Sequence, residues 1–191
     1  DNNIGYVAVY EFEETTSEQF NQAIDELTAQ GMKGLIIDLR DNPGGLVNSA
    51  TAILDRILPK DKLLVYTVDK NDKKQEEYSE DDATIDVPIS VLINGNSASA
   101  SEIVSGCLQD YGKAKLVGTT SFGKGIVQYV LPLGDGSAIK LTSAKYYTPN
   151  GRNIHGTGID PDVEVELNSD SETDTQLEKA QEIVLEQIRA E

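Results

Sequence analysis

With 191 residues, 38% of them hydrophobic, the chain has the size of one ordinary domain built on a single core. Its formal net charge of −17 and pI near 4.3 argue against a nucleic-acid binder, whose phosphate contacts need clustered Lys and Arg. The same charge would be repelled by an anionic membrane surface. A single cysteine, Cys107, permits neither an internal disulfide nor a cysteine-based zinc site. It falls in an apolar helical pattern with Ile103, Val104 and Leu108, which predicts a buried free thiol. No window has the apolar length of a transmembrane helix. The opening Asp1-Asn-Asn-Ile carries neither Met nor a signal peptide, so the sequence reads as a processed protein or an excised domain.

In chain order, Ile4 to Tyr10 alternates as a strand does, and Thr16-Ser17 with Gln19 opens a helix. That helix sets Phe20, Ile24 and Leu27 on one face and stops at Gly31. Gly34-Leu-Ile-Ile-Asp-Leu is a continuous apolar run, the mark of a buried parallel strand. It enters the turn Arg40-Asp41-Asn42-Pro43-Gly44-Gly45, and a helix from about Asn48 to Ile57 follows with Ala52, Ile53 and Ile57 inward. Leu63 to Val68 reads as a strand.

Asp69 to Asp86 is polar and charged. It lacks the spaced Asp/Asn pattern and glycine of a calcium loop, so it is expected to be a solvated hairpin or loop. Val87 to Asn94 is another buried strand, with proline near its start where it is tolerated. A helix runs from about Ser99 to Tyr111 and ends at Gly112, and Lys115 to Gly118 forms a short strand. Ile126 to Leu133 and Ala138 to Tyr147 flank Gly134-Asp-Gly136 as a hairpin. A strand at Val163 to Leu167 and a helix from Asp174 to Arg189 complete the chain. The helix carries Leu177, Ala180, Ile183, Val184 and Ile188 at helical spacing. Strand and helix alternate through the first two thirds, which predicts an α/β fold with parallel strands covered by helices, in a single domain.

Three stretches carry candidate chemistry. Asn94-Gly-Asn-Ser-Ala-Ser-Ala-Ser-Glu is a serine-dense strand-to-helix turn, where reactive groups collect and free backbone amides can stabilise an oxyanion. Ser99-Ala-Ser-Glu102 equally fits a capping box, and Ser97, Ser99 and Ser101 compete locally for any catalytic role. Gly118 to Lys124 falls one residue short of a phosphate-binding loop. Gly125 replaces its Mg²⁺-binding hydroxyl, and the chain continues as strand where that motif needs a helix.

Lys124 between two glycines can instead serve as a base if it is desolvated or set beside another cation, and the Gln128 side-chain carbonyl could hold its amine. In an extended strand residues four apart are separated by about 13 Å, so the two meet only if Gly123–Gly125 bends. The turn Asp38-Leu-Arg-Asp-Asn-Pro-Gly-Gly45 could present amides to an oxyanion, or be a plain tight turn. Asp110, near a helix end, caps locally or pairs with a basic residue. The sole histidine, His155, could form a triad with Ser99 and Asp160 or Asp110, but a loop position is the commoner fate of such a residue.

Taken together, Gly34-Leu-Ile-Ile-Asp-Leu-Arg-Asp-Asn-Pro-Gly-Gly, Asn94-Gly-Asn-Ser-Ala-Ser-Ala-Ser-Glu-Ile, Leu108-Gln-Asp-Tyr-Gly and Val117-Gly-Thr-Thr-Ser-Phe-Gly-Lys-Gly-Ile-Val-Gln resemble the catalytic domain of the carboxyl-terminal processing proteases. These are the tail-specific proteases of peptidase family S41. Tyr146-Tyr-Thr-Pro-Asn-Gly-Arg, Gly156-Thr-Gly-Ile-Asp-Pro-Asp-Val and Gln176-Leu-Glu-Lys-Ala extend the match, in family order, along most of the chain.

The resemblance implies a crotonase/ClpP-like α/β fold. It also implies a serine endopeptidase acting near protein C-termini through an acyl-enzyme, with Ser99 as nucleophile, Lys124 as general base and Gln128 orienting it. The backbone amides of Ala100 and Gly44 would form the oxyanion hole. It implies no metal or cofactor, protein or peptide substrates rather than nucleic acid, an extracytoplasmic location, and room for a homo-oligomer. Relatives carry a PDZ domain that would end just before this chain begins, and many have glycine where Asp41 stands here. The alternative reading is a non-catalytic peptide-binding or scaffold domain that keeps the fold.

Overall fold

The computed structural model describes residues 3–82, 85–167 and 173–190. Five parallel strands form the first sheet in the order β1-β2-β5-β6-β9: β1 (Ile4–Ala8), β2 (Gly34–Asp38), β5 (Ile89–Ile93), β6 (Ala114–Gly118) and β9 (Val163–Glu164). Helices α1 (Thr16–Ala29), α2 (Val47–Ile57) and α3 (Ala100–Asp110) supply much of the cover over one face, packing on Leu35, Ile37, Val91, Ile93 and Leu116. The C-terminal helix α4 (Thr175–Ala190) covers the other, laying Ala180 and Val184 on Ile36, Leu92 and Val117. Odd and even residues of β2 thus enter different cores, which is why the strand is apolar without alternation.

A second sheet is antiparallel, in the order β4-β3-β8-β7: β3 (Leu63–Asp69), β4 (Lys74–Tyr78), β7 (Ile126–Pro132) and β8 (Ala138–Tyr147). The polar stretch after β3 is therefore a solvated hairpin whose return strand β4 is exposed throughout; its residues 83 and 84 lie outside the described set. The hairpin around Gly134-Asp-Gly136 closes through Leu133 N–H to the Ser137 carbonyl at 2.9 Å.

Two element readings shift. In α2, which begins at Val47, the inward residues are Ala50, Ile53, Leu54 and Ile57, at i, i+3, i+4 and i+7; Ala52 lies off that stripe and is only half-buried. The final strand is two residues long, since only Val163 and Glu164 pair with β6. Cys107 is fully buried, and burial pushes its thiol far above the ordinary range.

The carboxyl end of β2 is tied to the start of α4 by a buried polar clip. The Arg40 guanidinium lies 2.6 Å from Asp38 Oδ2 and 2.8 Å from Asp174 Oδ2, and it donates to Gln176 Oε1 at 3.1 Å. The hydrogen bonds that Arg40 donates to Asp38 raise its pKa further above its ordinary value. Tyr6 donates to Asp38 Oδ2 at 2.7 Å; partial burial and that bond push its phenol up to about 12. Each charge keeps a partner, the condition under which a buried ion pair is tolerated.

Candidate active site

The site is assembled at the carboxyl ends of three adjacent parallel strands, where helices and loops leave a crevice. β2 delivers the Arg40–Gly45 turn, β5 delivers Asn94–Ser99, and β6 leads into the loop carrying Lys124. Ser99, Lys124, Gln128, Gly44, Gly45 and Tyr146 all line one cleft of about 350 Å³.

The three serines separate by environment. Ser97 is buried and donates its hydroxyl to the Leu39 carbonyl at 2.7 Å; Ser101 is buried and donates to the Asn42 carbonyl at 3.0 Å. Both fasten the serine turn to the β2 turn. Ser99 alone of the three lines the cleft, and its backbone sits at φ 56°, ψ −111°. That conformation is all but reserved for glycine and costs an L-residue about 1–3 kcal/mol unless its surroundings enforce it. Such a strained strand-to-helix turn is the geometry by which a nucleophilic serine is lifted out of a sheet.

The enforcing contacts are specific. Ser99 and Glu102 stand in the expected capping-box relation, in which Ser99 N–H donates to Glu102 Oε2 at 2.8 Å. The Ser99 carbonyl accepts from Tyr146 Oη at 3.0 Å. Burial, aided by the Glu102 charge, holds the Tyr146 phenol well above its ordinary pKa, so it remains a donor. Opposite lies Gly44, at φ 105°. A Cβ there would fall 2.7 Å from Ser99 Cβ and 2.7 Å from the Ala98 carbonyl oxygen, so only glycine lets the turn approach.

Glu102 is the residue that the motif reading undervalued. Fully buried, it accepts four hydrogen bonds. Oε2 takes the backbone amides of both Ser99 and Lys124, each at 2.8 Å. Oε1 takes Gly123 N–H at 2.7 Å and Ser121 Oγ at 2.6 Å. One carboxylate oxygen thus fixes the main chain of the expected nucleophile and the expected base together. The signal in the sequence was the capping-box spacing, which explains only the Ser99 bond.

Asn42 plays the matching part on the other side. Also fully buried, it donates to the Val9 carbonyl at 2.7 Å, while its carbonyl accepts Ala98 N–H at 3.0 Å. Asp41 sits at φ 60°, a left-handed position that favours glycine and tolerates Asp. Its carboxylate accepts from Asn96 at 2.8 Å and Asn94 at 3.0 Å, and these bonds hold it below the usual carboxylate range.

The loop before β7 bends as the Lys124–Gln128 pairing requires. Gly123 has φ 87°, and Gly125 is pressed so close to His155 that a Cβ would lie 2.7 Å from the His155 amide nitrogen. A register shift between Val127 and Gln128 adds to the irregularity. Gln128 Nε2 donates to Thr142 Oγ1 at 3.2 Å, and its side-chain carbonyl oxygen has no donor among the described residues. Lys124 Nζ has no hydrogen bond or ion pair among the described residues.

Of the expected oxyanion donors, Ala100 N–H opens α3 without an acceptor among the described residues, whereas Gly44 N–H is given to Asn42 Oδ1 at 2.8 Å. The adjacent Gly45 N–H has no acceptor among the described residues.

The structure does not bring together a histidine triad. His155 is exposed on its loop. Asp110 lies at the far end of α3 from Ser99, about 16 Å along the axis. There Asp110 pairs with Arg152 and accepts Asn150 N–H at 2.8 Å. Asp160 accepts from Thr120 Oγ1 at 2.8 Å.

The sequence model of Peptidase family S41 matches residues 3–165. The chain belongs to peptidase family S41. The carboxy-terminal-processing protease of Bartonella bacilliformis is 45% identical over 168 residues, covering 85% of this chain and 39% of that protein. The carboxy-terminal processing protease CtpB of Bacillus subtilis is 43% identical over 162 residues, covering 85% of this chain and 34% of its own length. The chain thus spans well under half of these relatives.

Among solved structures, the photosystem II D1 C-terminal processing protease superposes with a TM-score of 0.78 at 34% identity, over 95% of this chain and 46% of that one. Mature CPAF shares the fold at a TM-score of 0.75 and 16% identity, over 98% of this chain and 52% of that one.

Proposed function

We propose that the chain is the catalytic domain of a serine endopeptidase that hydrolyses polypeptides near their C-termini. Ser99 Oγ attacks the scissile carbonyl as Lys124 Nζ takes its proton. The C–O bond forms, the carbonyl electrons move to oxygen, and the oxyanion meets the amide of Ala100 and one from the Gly44–Gly45 pair. The intermediate collapses, the C–N bond breaks, and Lys124 returns the proton to the leaving amine. Water then enters by the same route and releases the acyl group from Ser99. Gln128 orients Lys124 through its free carbonyl oxygen.

The observation that carries this reading is the strained Ser99 backbone, fixed through one Glu102 oxygen to the main chain of Lys124. Of the two turn amides, Gly45's has no acceptor among the described residues, while Gly44's must exchange Asn42 for the oxyanion. An extracytoplasmic site of action and an upstream PDZ domain belong to the same reading, as implications of the family resemblance in the sequence.

The test is turnover of an unstructured protein by wild type, Ser99→Ala and Lys124→Ala, each with and without chelator. Loss in both variants with no chelator effect is expected; equal turnover by all three would sink the assignment. The non-catalytic peptide-binding reading is favoured by one observation, that Lys124 Nζ has no partner among the described residues. It predicts peptide binding without turnover in the wild type.

A further inference from the structure

The sequence holds two Asn-Gly pairs, Asn94-Gly95 and Asn150-Gly151. An asparagine in this pair is prone to lose its side-chain amide, because glycine leaves its own backbone nitrogen unshielded for attack on the carboxamide carbon. The fold treats the two pairs in opposite ways.

Asn94 opens the serine turn after β5, and its side chain is fully engaged. Oδ1 accepts Asp41 N–H at 3.0 Å and Asn96 N–H at 3.1 Å, with the Ser97 hydroxyl 3.4 Å away. Nδ2 donates to Asp41 Oδ1 at 3.0 Å. Asn150 instead stands exposed in the turn Thr148–Gly151 that follows β8. Its Nδ2 reaches only the Asp110 carbonyl, at 3.4 Å, and its Oδ1 has no donor among the described residues. The Gly151 N–H makes one bond, to the Thr148 carbonyl at 2.8 Å, and Gly151 is itself exposed. Local opening of such a surface turn is easy, and it frees the attacking nitrogen.

We propose that Asn150 is a modification site at which the chain deamidates spontaneously, while the contacts of Asn94 protect it. Gly151 N gives up its proton and attacks Asn150 Cγ. A C–N bond forms, the Cγ–Nδ2 bond breaks, and ammonia leaves with that proton. Water then opens the five-membered imide at either carbonyl. The product is aspartate, or the isomer whose main chain runs through the side-chain carbons.

Both products set a carboxylate beside Asp110, whose side chain is only 3% exposed and accepts Asn150 N–H at 2.8 Å. The new charge competes for Arg152, which pairs with Asp110 and donates to Gln109 Oε1 at 2.9 Å and the Gly106 carbonyl at 3.3 Å. Those three residues belong to α3, the helix that Ser99 opens, so the modification loosens that helix at its far end. None of this depends on the proteolytic reading.

The experiment holds the Ser99→Ala chain, in which self-cleavage does not confuse the readout, in warm, mildly alkaline buffer, both folded and in urea. Peptide mass mapping follows amide-to-acid conversion at each asparagine, and an isoaspartyl methyltransferase labels the isomer. In the folded chain Asn150 is expected to convert at least about tenfold faster than Asn94, which holds several more hydrogen bonds. In urea the two rates converge. Asp41→Gly suits the left-handed backbone there and removes the carboxylate, so it should raise the Asn94 rate and leave Asn150 unchanged. Asn150→Asp, a mimic of one product, should lower the urea midpoint, and more so at low salt.

Equal rates at the two asparagines of the folded chain, or an Asn150 that converts only in urea, overturns the site. An Asn94 rate untouched by Asp41→Gly overturns the protection by contacts. A midpoint unchanged in Asn150→Asp overturns the effect on the Asp110–Arg152 tie.

Discussion

The two sheets of this protein treat their polar and apolar groups in opposite ways. At the carboxyl edge of the parallel sheet the buried polar groups are densely paired: Glu102 holds four donors, Asn42 ties β1 to two turns, and Arg40 spans two carboxylates. On the antiparallel sheet, β4 is fully exposed, and Tyr129, Leu131, Ile139 and Leu141 leave much of their apolar area in water. The first region fixes atoms to the tolerance that chemistry demands. The second leaves apolar surface in water. Rigidity and exposure have been assigned to separate sheets, joined at Tyr146 and Gln128.

The comparison breaks first at Ser99. Ser99→Ala is expected to lower kcat by roughly 10⁴-fold or more with the fold retained, as read by circular dichroism. Ser99→Gly should be equally inactive yet more stable, by about 1–3 kcal/mol in urea unfolding, because glycine accepts the strained backbone without cost. If Ser99→Gly is less stable than wild type, the turn is not strained.

Next comes Glu102→Gln, which sets an amide donor among four donors. We expect about 3 kcal/mol of lost stability and roughly a 10²-fold loss in kcat, through displacement of Ser99 relative to Lys124. Gly44→Ala should cost activity through the 2.7 Å clash with Ser99 Cβ and Ala98 O, with a smaller loss of stability.

The Arg40 clip gives a pH signature. Tyr6 has a folded pKa of about 12 against an unfolded value near 10, so its contribution is complete below pH 10 and is lost as pH rises toward 12. The stability difference between wild type and Tyr6→Phe should therefore shrink across that window in pH-dependent urea melts. The smallest effect belongs to the second sheet: Leu133→Ser, at a site 51% exposed, should shift stability by no more than about 0.5 kcal/mol.

Element order and most boundaries were legible from the sequence because periodicity is local. Phe20 and Ile24, or Ala180 and Val184, declare a buried face over a few turns. That the β7–β8 hairpin joins β3 rather than the parallel sheet was not legible, since a hairpin pattern does not say which edge it meets. Within the site, local sequence showed the residue types but not their ranking, which came only from the family resemblance. Ser97, Ser99 and Ser101 look alike until burial commits two hydroxyls to the carbonyls of Leu39 and Asn42. Glu102 reads as a helix cap because three of its four bonds reach donors 19 to 22 residues away. Tyr146 gives no local hint of its bond to Ser99, 47 residues distant.

The backbone of Ser99 has one more consequence. Its conformation is imposed by Gly44, Glu102 and Tyr146, which come from three separate stretches of chain. Until all three are in place, position 99 relaxes to an ordinary turn and its hydroxyl to an ordinary alcohol. The geometry at position 99 is thus a property of the assembled fold and not of its local sequence, and disturbing any one of the three distant supports should undo it.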